Sequence, residues 1–151
     1  ETTEFNRTDE VSKMIDYFMG AIKQIRIFVL PMQQLSTEYG TELNKLIENE
    51  ADKERFMVLW REFQESVVLV MDYDIQLMTQ AANYYSFYRN ATVEEDGDLV
   101  FVSQEMMDRV TKASEEWIIN DDKLRLEQQE KRSETLRNFK KAIDFAKENA
   151  N

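Results

Sequence analysis

Hydrophobic residues between Phe56 and Tyr88 recur at alternating steps of four and three positions. The series comprises Phe56, Trp60, Phe63, Val67, Val70, Asp74, Leu77, Ala81, Tyr84 and Tyr88. This spacing is typical of coiled coils and predicts one long helix with a single seam against a partner helix. Asp74 interrupts the apolar seam. Because an isolated buried charge is costly, this carboxylate is the sharpest candidate for a site.

A second seam predicts an earlier helix, for which Thr8 or Asp9 can serve as the N-cap. This seam comprises Val11, Ile15, Phe18, Ile22, Ile25, Val29 and Met32, and it continues less regularly to Leu46. Residues 1–7 are expected to form a disordered lead. Pro31 predicts a kink because proline removes a backbone donor, whereas Gly40 is the better place for a break.

The helical period disappears between Ala91 and Val102, where Asp96-Gly97 predicts the tight turn of a small β-hairpin. Ser103 then opens a third helix that runs almost to Asn151. The predicted fold class is all-α, an elongated antiparallel bundle of three long helices with a β-hairpin or loop near residues 91–102. A reversal near Pro31 or Gly40 would give four helices. Residues 1–151 are expected to form a single helical-bundle domain.

Composition narrows the classes of function. Three glycines and one proline suit long helices with few turns, and a net charge of −11 opposes binding to nucleic acid or an anionic membrane. No apolar stretch is long enough to span a bilayer, so an acidic, soluble chain without membrane insertion is expected. The chain begins at Glu1 rather than Met, as expected if an initiator segment, a signal peptide or a membrane anchor was cut away, and the start does not distinguish among them. An extracytoplasmic location, periplasmic or secreted, is slightly favoured over a cytoplasmic one.

Antiparallel pairing around a turn near residue 50 places Arg26 opposite Asp74. The two residues are predicted to form a polar layer that fixes helix register, the best-attested use of buried polar groups in bundles. Alternatively, this layer lines a small cavity in which Lys23 and Arg26 hold the carboxylate of a small anionic ligand. Tyr73 and Asp74 complete this candidate ligand site.

Aromatic residues concentrate near the predicted hairpin, among them Tyr84, Tyr85, Tyr88 and Phe101. Aromatic side chains favour interfaces because they bury large areas while tyrosine keeps a polar tip. These four residues are a candidate partner-binding surface. The alternative is a small core that closes the bundle under the hairpin.

Histidine and cysteine are both absent, which removes the usual nucleophile-base pairs, zinc ligands and carboxylate-histidine metal motifs. No enzyme, metal or cofactor is expected, and no motif of a known family is recognised. The sequence favours a non-catalytic helical-bundle module that binds another protein or a second copy of itself. The alternative is an extracytoplasmic ligand-sensing domain of a membrane receptor, with a role in signal transduction.

Overall fold

The computed structural model describes the backbone of residues 4–150 and the side chains of residues 9–150. The first helical stretch comprises α1 (Arg7–Gln24), a π-helical turn (Ile25–Val29), α2 (Leu30–Glu38) and α3 (Gly40–Lys45). The two long helices are α4 (Glu50–Asn90) and α5 (Gln104–Asn149), and the strands are β1 (Glu4–Asn6), β2 (Thr92–Glu95) and β3 (Asp98–Phe101). The predicted all-α class with a small hairpin is confirmed.

The predicted hairpin is part of a three-stranded antiparallel sheet with the order β1-β3-β2. Asp96 and Gly97 have φ angles of 52° and 86°, and two positive φ angles in succession are what a type I′ hairpin turn requires. The prediction of a disordered lead over residues 1–7 is wrong for Glu4–Asn6, which pair with β3. Residues 1–3 lie outside the described part of the chain. The lead carries no helical period, and strand pairing with a distant segment has no local signal.

Just before Pro31, the backbone hydrogen bonds of the first helical stretch change from the α-helical to the π-helical pattern, and the chain does not reverse direction there. The N–H of Leu30 donates to the carbonyl of Ile25, five residues earlier, and the residues on either side keep right-handed helical dihedrals. Because a proline ring clashes with the carbonyl four residues before it, a wider π-helical turn ahead of Pro31 relieves that clash. The actual break lies at Tyr39, where α2 ends and α3 begins with Gly40, as the sequence predicts.

The packing divides the chain into two compact units. The single helical-bundle domain expected from length stays a prediction. The first unit combines the described part of Glu1–Lys23 with Ile75–Arg125. The second unit combines Gln24–Asp74 with the described part of Leu126–Asn151. Each unit contains one segment from each of the three helical stretches, so each can build its own core.

The core of the second unit is centred on the aromatic residues of α4. Its buried members are Ile47, Phe56, Trp60, Phe63, Val67, Ala142 and Ala146. Trp60 stacks on Phe56, and Phe139 of α5 packs against both Trp60 and Phe63. The seam predicted for α4 is confirmed, because every member from Phe56 to Tyr88 is buried except the half-buried Tyr84.

The first unit packs α1 against α4 and α5 through Tyr17. The Tyr17 hydroxyl donates to an oxygen of Asp121 at 2.8 Å and lies 3.3 Å from the carbonyl of Leu77. Arg125 in turn donates to Asp121 at 2.7 Å. Burial and then the hydrogen bond to Asp121 raise the pKa of Tyr17 to about 12. Under the sheet, a second core joins Tyr88, Ala91, Phe101 and Val110.

The seam predicted for the first helix is confirmed at Phe18, Ile25, Val29 and Met32, which are buried or half-buried, but it is wrong in phase at its other three positions. Val11, Ile15 and Ile22 are exposed, whereas Met14, Tyr17 and Ala21 are half-buried. The π-helical turn is the physical reason, because it holds one more residue than an α-helical turn. If the α-helical spacing is continued from Val29 toward the N-terminus, these three predicted core positions upstream of the turn are therefore each displaced by one residue from a residue that packs.

Candidate functional site

Asp74 lies in a buried polar layer of the second unit, but its described partner differs from the predicted one. Gln128 of α5 donates its side-chain amide to the Asp74 carboxylate, and both residues are buried. Arg26 is exposed, so the predicted pairing of Arg26 with Asp74 is not seen among the described residues. Gln128 of the polar stretch of α5 thus contributes to the layer. Thr135, two turns further along α5, is also fully buried and donates to the carbonyl of Lys131.

The candidate ligand residues are not gathered into one cavity by the described structure. Lys23 and Arg26 are exposed and Asp74 is buried, while Tyr73 is half-buried beside Glu127. Burial and a hydrogen bond to Glu127 raise the pKa of the Tyr73 hydroxyl. A ligand role for Lys23, Arg26, Tyr73 and Asp74 stays a prediction.

Replacement of Gln128 by Leu is expected to lower the free energy of unfolding by about 1–3 kcal/mol, because the buried Asp74 carboxylate loses a hydrogen-bond donor. Denaturant unfolding followed by circular dichroism measures the change. Gln129→Leu is the matched control, since Gln129 is exposed on the same helix. Equal stability of the two variants would show that the hydrogen bond to Asp74 does not stabilise the fold.

The four aromatic residues predicted as a partner surface divide between core and surface. Tyr88 and Phe101 are buried with rings 5.8 Å apart, in the core beneath the sheet. Tyr84 and Tyr85 are half-buried and form a cluster with Trp117, on which Tyr84 stacks with ring centroids 4.8 Å apart. The structure thus supports the alternative of a small core for Tyr88 and Phe101.

An open groove of about 460 Å³ lies beside this cluster, within the first unit. Its walls come from α1, the end of α4 and the sheet. The apolar and aromatic lining residues are Val11, Met14, Tyr85, Tyr88 and Leu99, and the polar ones are Glu10, Arg89, Thr92 and Glu94. A second, shallower groove of about 290 Å³ lies between α4 and α5 along Tyr84 and Trp117.

The exposed apolar residues of α1 form a continuous stripe, named here the α1 face. Its members are Val11, Ile15, Met19 and Ile22, and they are 38–58% exposed. Steps of four, four and three residues place all of them on one side of the helix. This face was not predicted to be a surface, because the spacing of its residues is that of an ordinary core-facing helix. The π-helical turn, which the spacing does not reveal, is what turns these residues toward solvent instead of toward the core.

Within the described part of the chain, no group of acidic side chains is arranged to hold a metal ion. Among the same residues, no helix is both long enough and apolar enough to cross a membrane. Comparison of the chain with protein-family models, curated proteins and solved structures finds no match.

Proposed function

We propose that this protein is a non-catalytic interaction module that self-associates through the α1 face. The observation that carries the proposal is the exposure of four large apolar residues in one stripe. Single exposed apolar residues are normal on a protein surface, but a contiguous apolar patch marks an interaction site. Association removes this stripe from water, which is favourable in proportion to the apolar area buried.

The order of residues along the α1 face suits a second copy of the same helix. In an antiparallel two-fold pairing, Val11 lies opposite Ile22 of the other copy, and Ile15 lies opposite Met19. Two-fold symmetry makes each of these contacts twice, so apolar residues meet apolar residues along the whole stripe.

Ile15→Glu is expected to abolish self-association, because it places a charge at the middle of the buried stripe. Sedimentation velocity from about 1 µM to about 1 mM covers the range of a small apolar interface. The matched control is Leu136→Glu, because Leu136 is 49% exposed and Ile15 is 51% exposed. The control should associate as the unchanged protein does.

Two results would contradict self-association through the α1 face. One is an unchanged protein that stays monomeric over the whole concentration range. The other is equal association of Ile15→Glu and the unchanged protein, which would move the interface elsewhere. Far-UV circular dichroism of each variant separates loss of association from loss of fold.

A ligand-sensing role is the second candidate function, and the groove of the first unit is the observation that favours it. Its volume falls within the range of roughly 300–1,000 Å³ that small-molecule sites occupy. Of the α1 face, Val11 lines the groove and Ile15, Met19 and Ile22 do not, so the two surfaces are largely separate.

A further inference from the structure

The groove of the first unit has an aromatic and apolar wall with a carboxylate set into it. Tyr85, Tyr88, Met14 and Leu99 supply the wall. Glu10 lines the same groove, and its side chain is only 19% exposed. A few polar groups in a mostly apolar lining are the usual composition of a small-molecule site, where the polar groups fix the orientation of the ligand.

The Glu10 carboxylate lines the same groove as Tyr85 and Tyr88, so its charge acts on both tyrosine hydroxyls. Burial and then the negative charge of Glu10 raise the pKa of Tyr88 above its usual range. Burial, the neighbouring Tyr84 and then Glu10 raise the pKa of Tyr85 as well. A cation at Glu10 would therefore share the groove with two tyrosine rings, and the faces of such rings attract positive charge.

The present partner of Glu10 is weakly held. Lys13 donates to Glu10 at 3.2 Å, but the Lys13 side chain is 70% exposed. Exposed ion pairs of this kind contribute little stability, because water screens the charges and the long side chain loses freedom. An ammonium group that arrives with an apolar body can therefore replace that of Lys13.

The net charge of the chain favours a cation over an anion. Among the described residues, the carboxylates of Glu10 and Glu94 and the guanidinium of Arg89 line the groove, and the Lys13 ammonium contacts Glu10. The chain as a whole carries a net charge of −11, which attracts cations and repels anions over longer distances.

We infer that this groove binds a small organic amine with an apolar or aromatic body. Its ammonium group replaces that of Lys13 at the Glu10 carboxylate, and its body packs against Tyr85, Tyr88 and Met14. The inference goes beyond self-association and does not rest on it, because Ile15 and Met19 do not line the groove.

Three probes with the same aromatic ring test the charge of the ligand: phenethylamine, phenylalanine and phenylacetate. Binding is measured by isothermal titration calorimetry and by chemical-shift changes in protein NMR spectra. Phenethylamine is expected to bind most tightly, and phenylacetate is expected not to bind. Tighter binding of phenylalanine would overturn the amine class in favour of a zwitterion held by Arg89, and tighter binding of phenylacetate would overturn it altogether.

Two substitutions are expected to act in opposite directions. Glu10→Gln should weaken phenethylamine binding at least tenfold, because the ammonium loses its ionic partner. Lys13→Gln should strengthen it several-fold, because the competing ammonium is removed. Glu42→Gln is the matched control, since Lys45 contacts Glu42 at the same 3.2 Å and the same helical spacing, away from the groove. It should leave the affinity unchanged.

Separate outcomes decide between this inference and the proposed function. Phenethylamine should bind the Ile15→Glu variant as it binds the unchanged protein, whatever the oligomeric state. Equal affinities of Glu10→Gln and Glu42→Gln would overturn the site. Nα-Acetyl-lysine amide carries the same ammonium on a more polar body, so tighter binding of this probe would indicate a lysine of a partner protein instead.

Discussion

Replacement of Trp60 by Ala is expected to lower the free energy of unfolding by about 3–5 kcal/mol, the usual loss for a large buried aromatic residue. Trp60 is 1% exposed in the core of the second unit. Its ring lies 5.7 Å from Phe56 and 5.0 Å from Phe63, so truncation leaves a cavity lined by aromatic side chains. The indole N–H also donates to the carbonyl of Ser36 at 3.0 Å, and this bond is lost.

Trp60→Phe separates packing from hydrogen bonding. It keeps a ring in the core, and Gln64 still donates to the Ser36 carbonyl at 2.8 Å, so a smaller loss than for Ala is expected. Met57→Ala is the control on the exposed side of the same helix, where little change is expected. Denaturant unfolding followed by circular dichroism measures all three. A loss for Trp60→Ala no larger than for Met57→Ala would contradict the packing described for the second unit.

Gly40→Ala is expected to destabilise the protein by about 1–3 kcal/mol, the usual effect of overpacking a core. Gly40 is buried at the start of α3, directly against Trp60. A methyl group added there would meet Cδ1 and Cε2 of the indole at 2.7 and 2.8 Å, inside van der Waals contact. In an open helical position the same change is favourable, because alanine restricts the unfolded chain more than glycine does.

Gly20→Ala is the matched control, and it is expected to change the free energy of unfolding in the opposite direction. Gly20 lies within α1, and an added methyl group there would meet nothing within 4 Å. This variant should be stabilised by roughly 0.5–1 kcal/mol. A double-mutant cycle sharpens the test, because Gly40→Ala should cost less in a Trp60→Phe background, where the smaller ring leaves room. Stabilisation by Gly40→Ala in the unchanged background would show that Trp60 does not occupy this position.

Only some residues of the candidate sites could be predicted from the sequence. Asp74 stands out because a carboxylate in an apolar seam breaks a period, and the structure confirms that it is buried. Its described hydrogen-bond donor, Gln128, was missed, since a single glutamine in a highly charged stretch carries no distinguishing pattern. Glu10 was missed for a related reason: it is distant in sequence from Tyr85 and Tyr88, and only folding brings it to the groove.

The sequence by itself determined the long helices, the seam of α4 and the Asp96-Gly97 turn. Each depends on interactions between residues near one another in the chain, which leave a period or a preferred dihedral in the sequence. Helix caps are equally local, as shown by Asn49 and Ser103, whose side-chain oxygens accept hydrogen bonds from amides at the starts of α4 and α5.

Only the tertiary structure decided which face of α1 is buried, what Asp74 contacts and where Glu4–Asn6 pair. The spacing of the stripe from Val11 to Ile22 shows that its residues share one side of the helix, but it does not show whether that side packs in a core or faces solvent. Packing of Tyr17 against α4 and α5, with the extra residue of the π-helical turn, turns that stripe outward. The α1 face is thus a consequence of long-range contacts that local periodicity does not encode.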